Sequence, residues 1–160
     1  MEEKSYGILA SNILLTRTNK DGKKEVLLQL RQNTGFMDNM YDVSCGGHVK
    51  KGESLLKTAV REAKEEIGID IKEEDLELLA VNHDCKTNYV KLFFTTNIYD
   101  GEPKICEPDE IGELLWVDID NLPENTIPYV IGFIEGMKYG IQCDDGEFTI
   151  LKKRKANSNK

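Results

Sequence analysis

A chain of 160 residues, 39% hydrophobic and 31% charged, is long enough to bury one core and has neither a disordered nor a membrane composition. Its formal net charge of −8 repels nucleic-acid phosphates, which argues against stable nucleic-acid binding but not against a small phosphorylated ligand whose charge a divalent cation offsets. The start, Met1-Glu2-Glu3-Lys4, lacks the basic lead of a secretory signal, and no apolar run approaches the ~18 residues of a membrane helix, so a cytoplasmic protein without membrane contact is expected.

In chain order, residues 6–17 are apolar and branched and predict a strand. Asp21-Gly22 marks a turn, and residues 25–31 (EVLLQLR) predict the second strand of a hairpin. Residues 32–41 read as a loop with apolar members, and 42–45 as a short strand running into Gly46-Gly47, where the backbone turns tightly or meets a ligand closely. Residues 54–67 predict a helix, with Ser54 as N-cap, Gly68 as left-handed C-cap, and Leu55, Leu56, Ala59, Val60, Ala63 and Ile67 as its apolar stripe. Further strands are expected at 76–81, 89–98, 114–118 and 147–151, and a second helix at 127–137. Mixed strands and helices predict an α/β (α+β) sandwich with a mixed sheet. A single domain is expected over 1–151, followed by a polar, basic, solvated tail at 152–160. A homodimer is compatible with the sequence, and nothing in it requires one.

Cys45, Cys85, Cys106 and Cys143 contain no C-x-x-C pair, and in a cytoplasmic setting they are expected as thiols.

The chemistry concentrates on the first helix. Glu62, Glu65 and Glu66 stand at i, i+3 and i+4 and so share a face, which borders the apolar stripe, while Lys57, Arg61 and Lys64 point towards solvent. Three carboxylates at the edge of a buried face repel one another, and an oxygen-loving divalent cation removes the conflict. Taken alone, such a run also suits an ordinary solvated surface.

The stretch Gly47 to Ile69 (GHVKKGESLLKTAVREAKEEIGI) resembles the Nudix box, G-x5-E-x7-R-E-U-x-E-E-x-G-U, where U is aliphatic. Gly47, Glu53, Arg61, Glu62, Glu65, Glu66 and Gly68 fill every fixed position, and Ala63 and Ile69 fill the aliphatic ones. At ~7% usage per residue type, seven fixed positions coincide about once in 10⁸ windows, so chance is not the explanation.

The resemblance implies a Nudix-type α/β/α sandwich and a Mg²⁺- or Mn²⁺-dependent hydrolase that splits nucleoside diphosphate derivatives by water attack on phosphorus. Glu65 and Glu66 match metal ligands, Glu62 a ligand or general base, and the carbonyl of Gly46 a backbone ligand. Glu53 and Arg61 match a pair that braces the loop against the helix. One more acid often comes from a distant loop, six residues before a Trp; Glu110 has that spacing to Trp116, with Glu107 and Glu113 as competitors. Phe36, Met37 and Tyr41 are placed to stack on a base or to pack on the sheet, and Arg31 to hold a phosphate or to be an ordinary strand-end charge. The marks of the ADP-ribose, NADH and coenzyme A subfamilies are absent, and residues 122–130 (LPENTIPYV) resemble a stretch in MutT-like members. A nucleoside triphosphate, cut to monophosphate and pyrophosphate, is therefore the expected substrate. A non-hydrolytic nucleotide-binding module of the same fold is the alternative, and an isopentenyl diphosphate isomerase a more distant one.

Overall fold

The first strand, β1 (Ile8–Thr18), is apolar on both faces, and this makes it the centre of the sheet. Ile13 and Leu15 enter one hydrophobic cluster and Leu14 the other, all three with no exposure. The structure, a computed structural model, describes residues 2–137 and 142–144. β2 (Lys24–Arg31) follows a turn in which Gly22 has φ of 77° and Asn19 Oδ1 accepts from the amides of Asp21 and Lys23. Then come β3 (Tyr41–Asp42), β4 (Cys45–His48), α1 (Leu55–Ile67), a 3-10 turn at Glu73–Asp75, β5 (Glu77–Asp84), β6 (Tyr89–Thr96), β7 (Ile111–Asp118), α2 (Pro128–Met137) and β8 (Gln142–Asp144).

The sheet runs β3-β2-β1-β6-β5-β8, with β4 attached to β1 and β7 to β2. β1 lies parallel to β6 along one edge; its other edge is shared, antiparallel, by β4 at residues 10–13 and by β2 at 16–18. β4 has no second strand partner among the described residues, so its outer edge is open to whatever side chains reach it.

Side chains alternate between faces along each strand. Leu27 and Phe94 join Ile13 and Leu15 beneath Ala59, Ala63 and Ile67 of α1. Val26, Leu28 and Phe93 join Leu14 beneath Val130, Phe133 and Ile134 of α2. The result is a mixed sheet between two helices, as the sequence predicts. Among the described residues no helix is long and apolar enough to cross a membrane.

Three differences from the sequence reading matter. The strand expected at 42–45 is two strands, and Gly46 and Gly47 lie inside the second as extended backbone; neither has a positive φ. β5 continues to Asp84 because its polar end still pairs with β6, and β7 starts at Ile111 because Ile111 and Glu113 pair with β2 across a register shift. β8 pairs in parallel with β5 where no strand is expected, while the expected strand at 147–151 and the tail at 152–160 lie outside the described residues.

Candidate active site

α1 begins and ends where its sequence dictates. Ser54 is extended and its hydroxyl accepts from the Lys57 amide at 3.1 Å; Gly68, with φ of 71°, donates its amide to the carbonyls of Ala63 and Lys64. With both ends fixed, the rotation that buries Ala59, Ala63 and Ile67 turns Glu62 and Glu66 towards β4.

β4 receives them because it lacks side chains there. A Cβ on Gly47 would lie 2.3 Å from Glu62 Oε1, and one on Gly46 would lie 2.2 Å from Asn12 Oδ1. Of the two expectations for these glycines, a tight turn or a close approach, the structure shows close approach, here to the Glu62 and Asn12 side chains. The Gly46 amide donates to Glu66 Oε2 at 3.2 Å. In a strand, N–H and C=O of one residue project from the same edge, so the Gly46 carbonyl also faces the open edge, away from β1.

Arg61 does not extend into solvent, as the helix wheel suggests. Its guanidinium folds over the acids: Nε donates to Glu53 Oε1 at 2.8 Å, Nη2 to Glu53 Oε2 at 3.1 Å and to the His48 carbonyl at 3.2 Å, and Nη1 to Glu62 and to Glu65 Oε2 at 2.9 Å. Arg61, then the Thr58 hydroxyl at 2.7 Å, hold the Glu53 carboxyl down to about 2. The same carboxylates push the guanidinium further up, so it stays charged at every relevant pH.

Glu66 is the opposite case. Burial pushes it up to about 8, the Gly46 amide offsets part of this, and the charges of Glu62, Glu107 and Glu110 add to the rise. The loop acids arrive because the segment after β6 crosses the end of α1: the amides of Lys104 and Cys106 donate to the carbonyls of Ile67 and Glu66 at 3.0 and 2.9 Å. The Glu107 carbonyl accepts from the Glu110 and Ile111 amides, so one turn carries Glu107 and Glu110 together. Burial, then Glu110, Glu62 and Glu65, also raise Glu107. Glu113 stands apart and accepts a short hydrogen bond from the Tyr41 hydroxyl.

Among the described residues no three His, Cys, Asp or Glu side chains converge on one point as an ion would gather them. The donor set nevertheless suits a hard divalent cation: Glu62, Glu65, Glu66, Glu107 and Glu110 surround an excess of negative charge, and Arg61 is the cation paired with Glu62 and Glu65. Carboxylate and carbonyl oxygens favour Mg²⁺ or Mn²⁺ over zinc.

A cavity of about 450 Å³ opens on the other face of the sheet, lined by Phe36, Met37, Asn82, Asp84, Thr87, Tyr89, Lys91 and Tyr129. Phe36 and Met37 therefore meet at one site. Tyr41, grouped with them in the sequence, does not line this cavity: it is buried in β3 within the α2-side core. Arg31 does not present a free guanidinium: it donates to the Phe36 carbonyl at 2.8 Å, to Asp42 Oδ2 at 3.0 Å and to the Thr34 hydroxyl at 3.0 Å. With Asp38, which accepts from the amides of Thr34 and Gly35, it shapes the loop that presents Phe36. Trp116 packs against the α1-side cluster, with the Arg17 guanidinium 4.2 Å above its ring. Cys45, Cys85 and Cys106 are free thiols.

Thr58, which supports Glu53 from within the helix, and Tyr89, Lys91 and Tyr129 in the cavity are candidate functional-site residues that no motif or spacing in the sequence marks, save for one signal. In Tyr89-Val-Lys91-Leu-Phe93 a lysine occupies the aromatic side of an alternating strand. Burial lowers the Lys91 ammonium from its usual range.

Comparison with known proteins agrees with the box. The family model described as NUDIX domain matches residues 9–133. An uncharacterized Nudix hydrolase of Clostridium acetobutylicum is 32% identical over 137 residues, covering 75% of this chain and 66% of its own. The uncharacterized Nudix hydrolase YfcD of Salmonella typhi is 34% identical over 101 residues, covering 61% of this chain and 52% of its own. The chain thus spans between about half and two thirds of the length of these two relatives. Among solved structures, a MutT NUDIX hydrolase from Burkholderia pseudomallei superposes with a TM-score of 0.70 at 24% identity, covering 82% of this chain and 98% of that one, a likeness of fold.

Proposed function

The chain belongs to the Nudix family, and on that premise we propose that it is a Mg²⁺- or Mn²⁺-dependent hydrolase of a phosphoanhydride bond in a nucleoside diphosphate derivative. A nucleoside triphosphate, cut to monophosphate and pyrophosphate, is the leading substrate. The observation that carries this reading is the meeting of α1's acidic face with the open edge of β4, where the Gly46 amide holds Glu66 and Arg61 ties Glu53, Glu62 and Glu65 together.

Glu65, Glu66 and the Gly46 carbonyl would hold the ion, with Glu110 or Glu107 completing the set. When bound, a divalent ion withdraws charge from phosphate oxygens and lowers the pKa of water. Glu62 takes the proton from the attacking water as general base. Arg61, anchored on Glu53 and the His48 carbonyl, fixes the direction in which Glu62 and Glu65 point. Little covalent chemistry is asked of the protein, so this positioning accounts for most of the rate. The cavity of Phe36, Tyr89 and Tyr129 takes the base. Its Tyr89 ring lies 5.6 Å from the ring of His48, next along β4 from the glycines, which links the two halves of the site.

A product-release assay over nucleoside triphosphates and X-linked nucleoside diphosphates, with Mg²⁺ and with excess EDTA, tests the reading. Turnover of at least one nucleotide that EDTA abolishes is expected. Tight nucleotide binding without turnover would instead assign the chain as a sensing module, and full activity in EDTA would exclude the mechanism.

A further inference from the structure

Lys91 stands out among the charged groups away from the acidic face. It lies on β6, with its ammonium 5.0, 5.2 and 5.4 Å from the ring centres of Phe36, Tyr89 and Tyr129. It makes no hydrogen bond or ion pair among the described residues. The rings stabilise part of its charge, but they leave its N–H donors without a lone pair to meet. Other polar groups of the same cavity are already engaged. Asp84 accepts from the Lys86 amide at 2.9 Å and from the Thr87 hydroxyl at 2.7 Å. The Tyr129 hydroxyl donates to Asp42 Oδ1 at 2.9 Å.

The sheet places this donor at a definite distance from the acids. Lys91 is opposite Ala10, and Ala10 is opposite His48. The three side chains therefore rise from one face in one row, and at ~4.8 Å per strand the Lys91 and His48 backbones are about 10 Å apart. A base held between the aromatic rings would present its edge to Lys91 while the ribose leads towards β4. A carbonyl oxygen on that edge gives the ammonium its missing acceptor. An amino group at the same position offers only N–H, and so leaves a partly desolvated cation facing a donor.

We propose that Lys91 is a specificity-determining residue, selecting nucleotides whose base bears an oxo group over their amino counterparts. This rests on the reading of the cavity as the base site. It concerns which base is accepted and leaves the hydrolytic step unchanged.

Two pairs carry this exchange, inosine against adenosine triphosphate and uridine against cytidine triphosphate; in each the neighbouring ring nitrogen also changes from N–H donor to acceptor, so the Lys91→Met comparison is what assigns the preference to Lys91. Comparison of kcat/KM within each pair, for the wild type and for Lys91→Met, isolates the effect, since Met keeps the length and loses the charge. The wild type is expected to favour the oxo member by about tenfold or more. In Lys91→Met the ratio falls towards one, through a loss on the oxo member. The same order is read independently as Kd, by calorimetric titration of each nucleotide into metal-free protein in EDTA. Thermal melting checks that the variant folds. Equal kcat/KM for both members in the wild type, or a preference that survives in Lys91→Met, overturns the proposal. If nothing is hydrolysed but binding is oxo-selective and Lys91-dependent, the proposal stands and the hydrolytic reading falls. Failure of every nucleotide to bind or to be hydrolysed with Mg²⁺ present overturns both.

Discussion

Arg61 and Glu53 share two parallel hydrogen bonds, a geometry that a lysine ammonium does not reproduce. Arg61→Lys is expected to fold but to need about 10–100-fold more Mg²⁺ for half-maximal rate, which a metal titration of turnover would show. An unchanged titration would mean that Arg61 does not orient the acids. Glu66→Gln keeps the side chain's shape and its bond from Gly46, and is expected to lower kcat by at least about 100-fold with melting temperature retained. An unchanged rate at saturating Mg²⁺ would remove Glu66 from the site. The identities of these residues are legible in sequence because the box fixes them by spacing. Of their contacts the resemblance implies only the Glu53–Arg61 brace; that Arg61 also reaches Glu62, Glu65 and the His48 carbonyl is not legible, because a helix wheel places Arg61 in solvent, rotating Cα positions and ignoring an arm long enough to fold back across a turn. Tyr41 shows the same limit, because an aromatic residue before the box has the same letter whether it stacks on a base or, as here, packs in the core and bonds Glu113.

At the scale of elements, α1 depends on its two ends. Ser54→Ala removes the acceptor for the Lys57 amide and is expected to cost about 1 kcal/mol in urea denaturation. A loss near zero would show that water caps the helix equally well. Gly47→Ala tests the other partner: its methyl would meet the tip of Glu62, a flexible group that moves aside, so activity should fall while stability changes little. Strong destabilisation with activity retained per folded molecule would contradict that. The helix was readable to within a residue, because caps and a 3.6-residue stripe agree. β4 was not, because two consecutive glycines carry no period and their usual meaning is a turn; only the packed partners, Glu62 and Asn12, reveal that they sit in an extended strand. β8 offered even less, three residues whose pairing with β5 depends on tertiary position.

For the whole molecule, the acidic face couples stability to pH and to metal. Glu66 rises from 4.5 to about 8 on folding, so the metal-free folded chain keeps a proton that the unfolded chain releases. Stability from this group is complete below about 4.5 and is lost as pH rises through about 8. Glu53 works in the other direction: lowered to about 2, it contributes above 4.5 and loses its contribution as pH falls through 2. Melting in EDTA is therefore expected to weaken from pH 5.5 to pH 9, less steeply in Glu66→Gln, with Mg²⁺ restoring the alkaline side by binding the folded state. A melting temperature independent of pH over that window in the wild type would mean that Glu66 is solvated. The family, the mixed sheet and the acidic helix were all visible in the sequence. The aromatic cavity was not, because Phe36, Tyr89, Lys91 and Tyr129 come from separate parts of the chain that only the sheet brings together.

The measurement that bears most directly on the proposed chemistry is hydrolysis of a nucleoside triphosphate in ¹⁸O-labelled water with Mg²⁺, products read by mass spectrometry. Monophosphate and pyrophosphate are expected as first products, with one ¹⁸O on phosphorus in one of them, and both absent when EDTA is in excess. Orthophosphate as the sole first product, or equal turnover in EDTA, would contradict attack at an inner phosphorus directed by a metal over Glu62, Glu65 and Glu66.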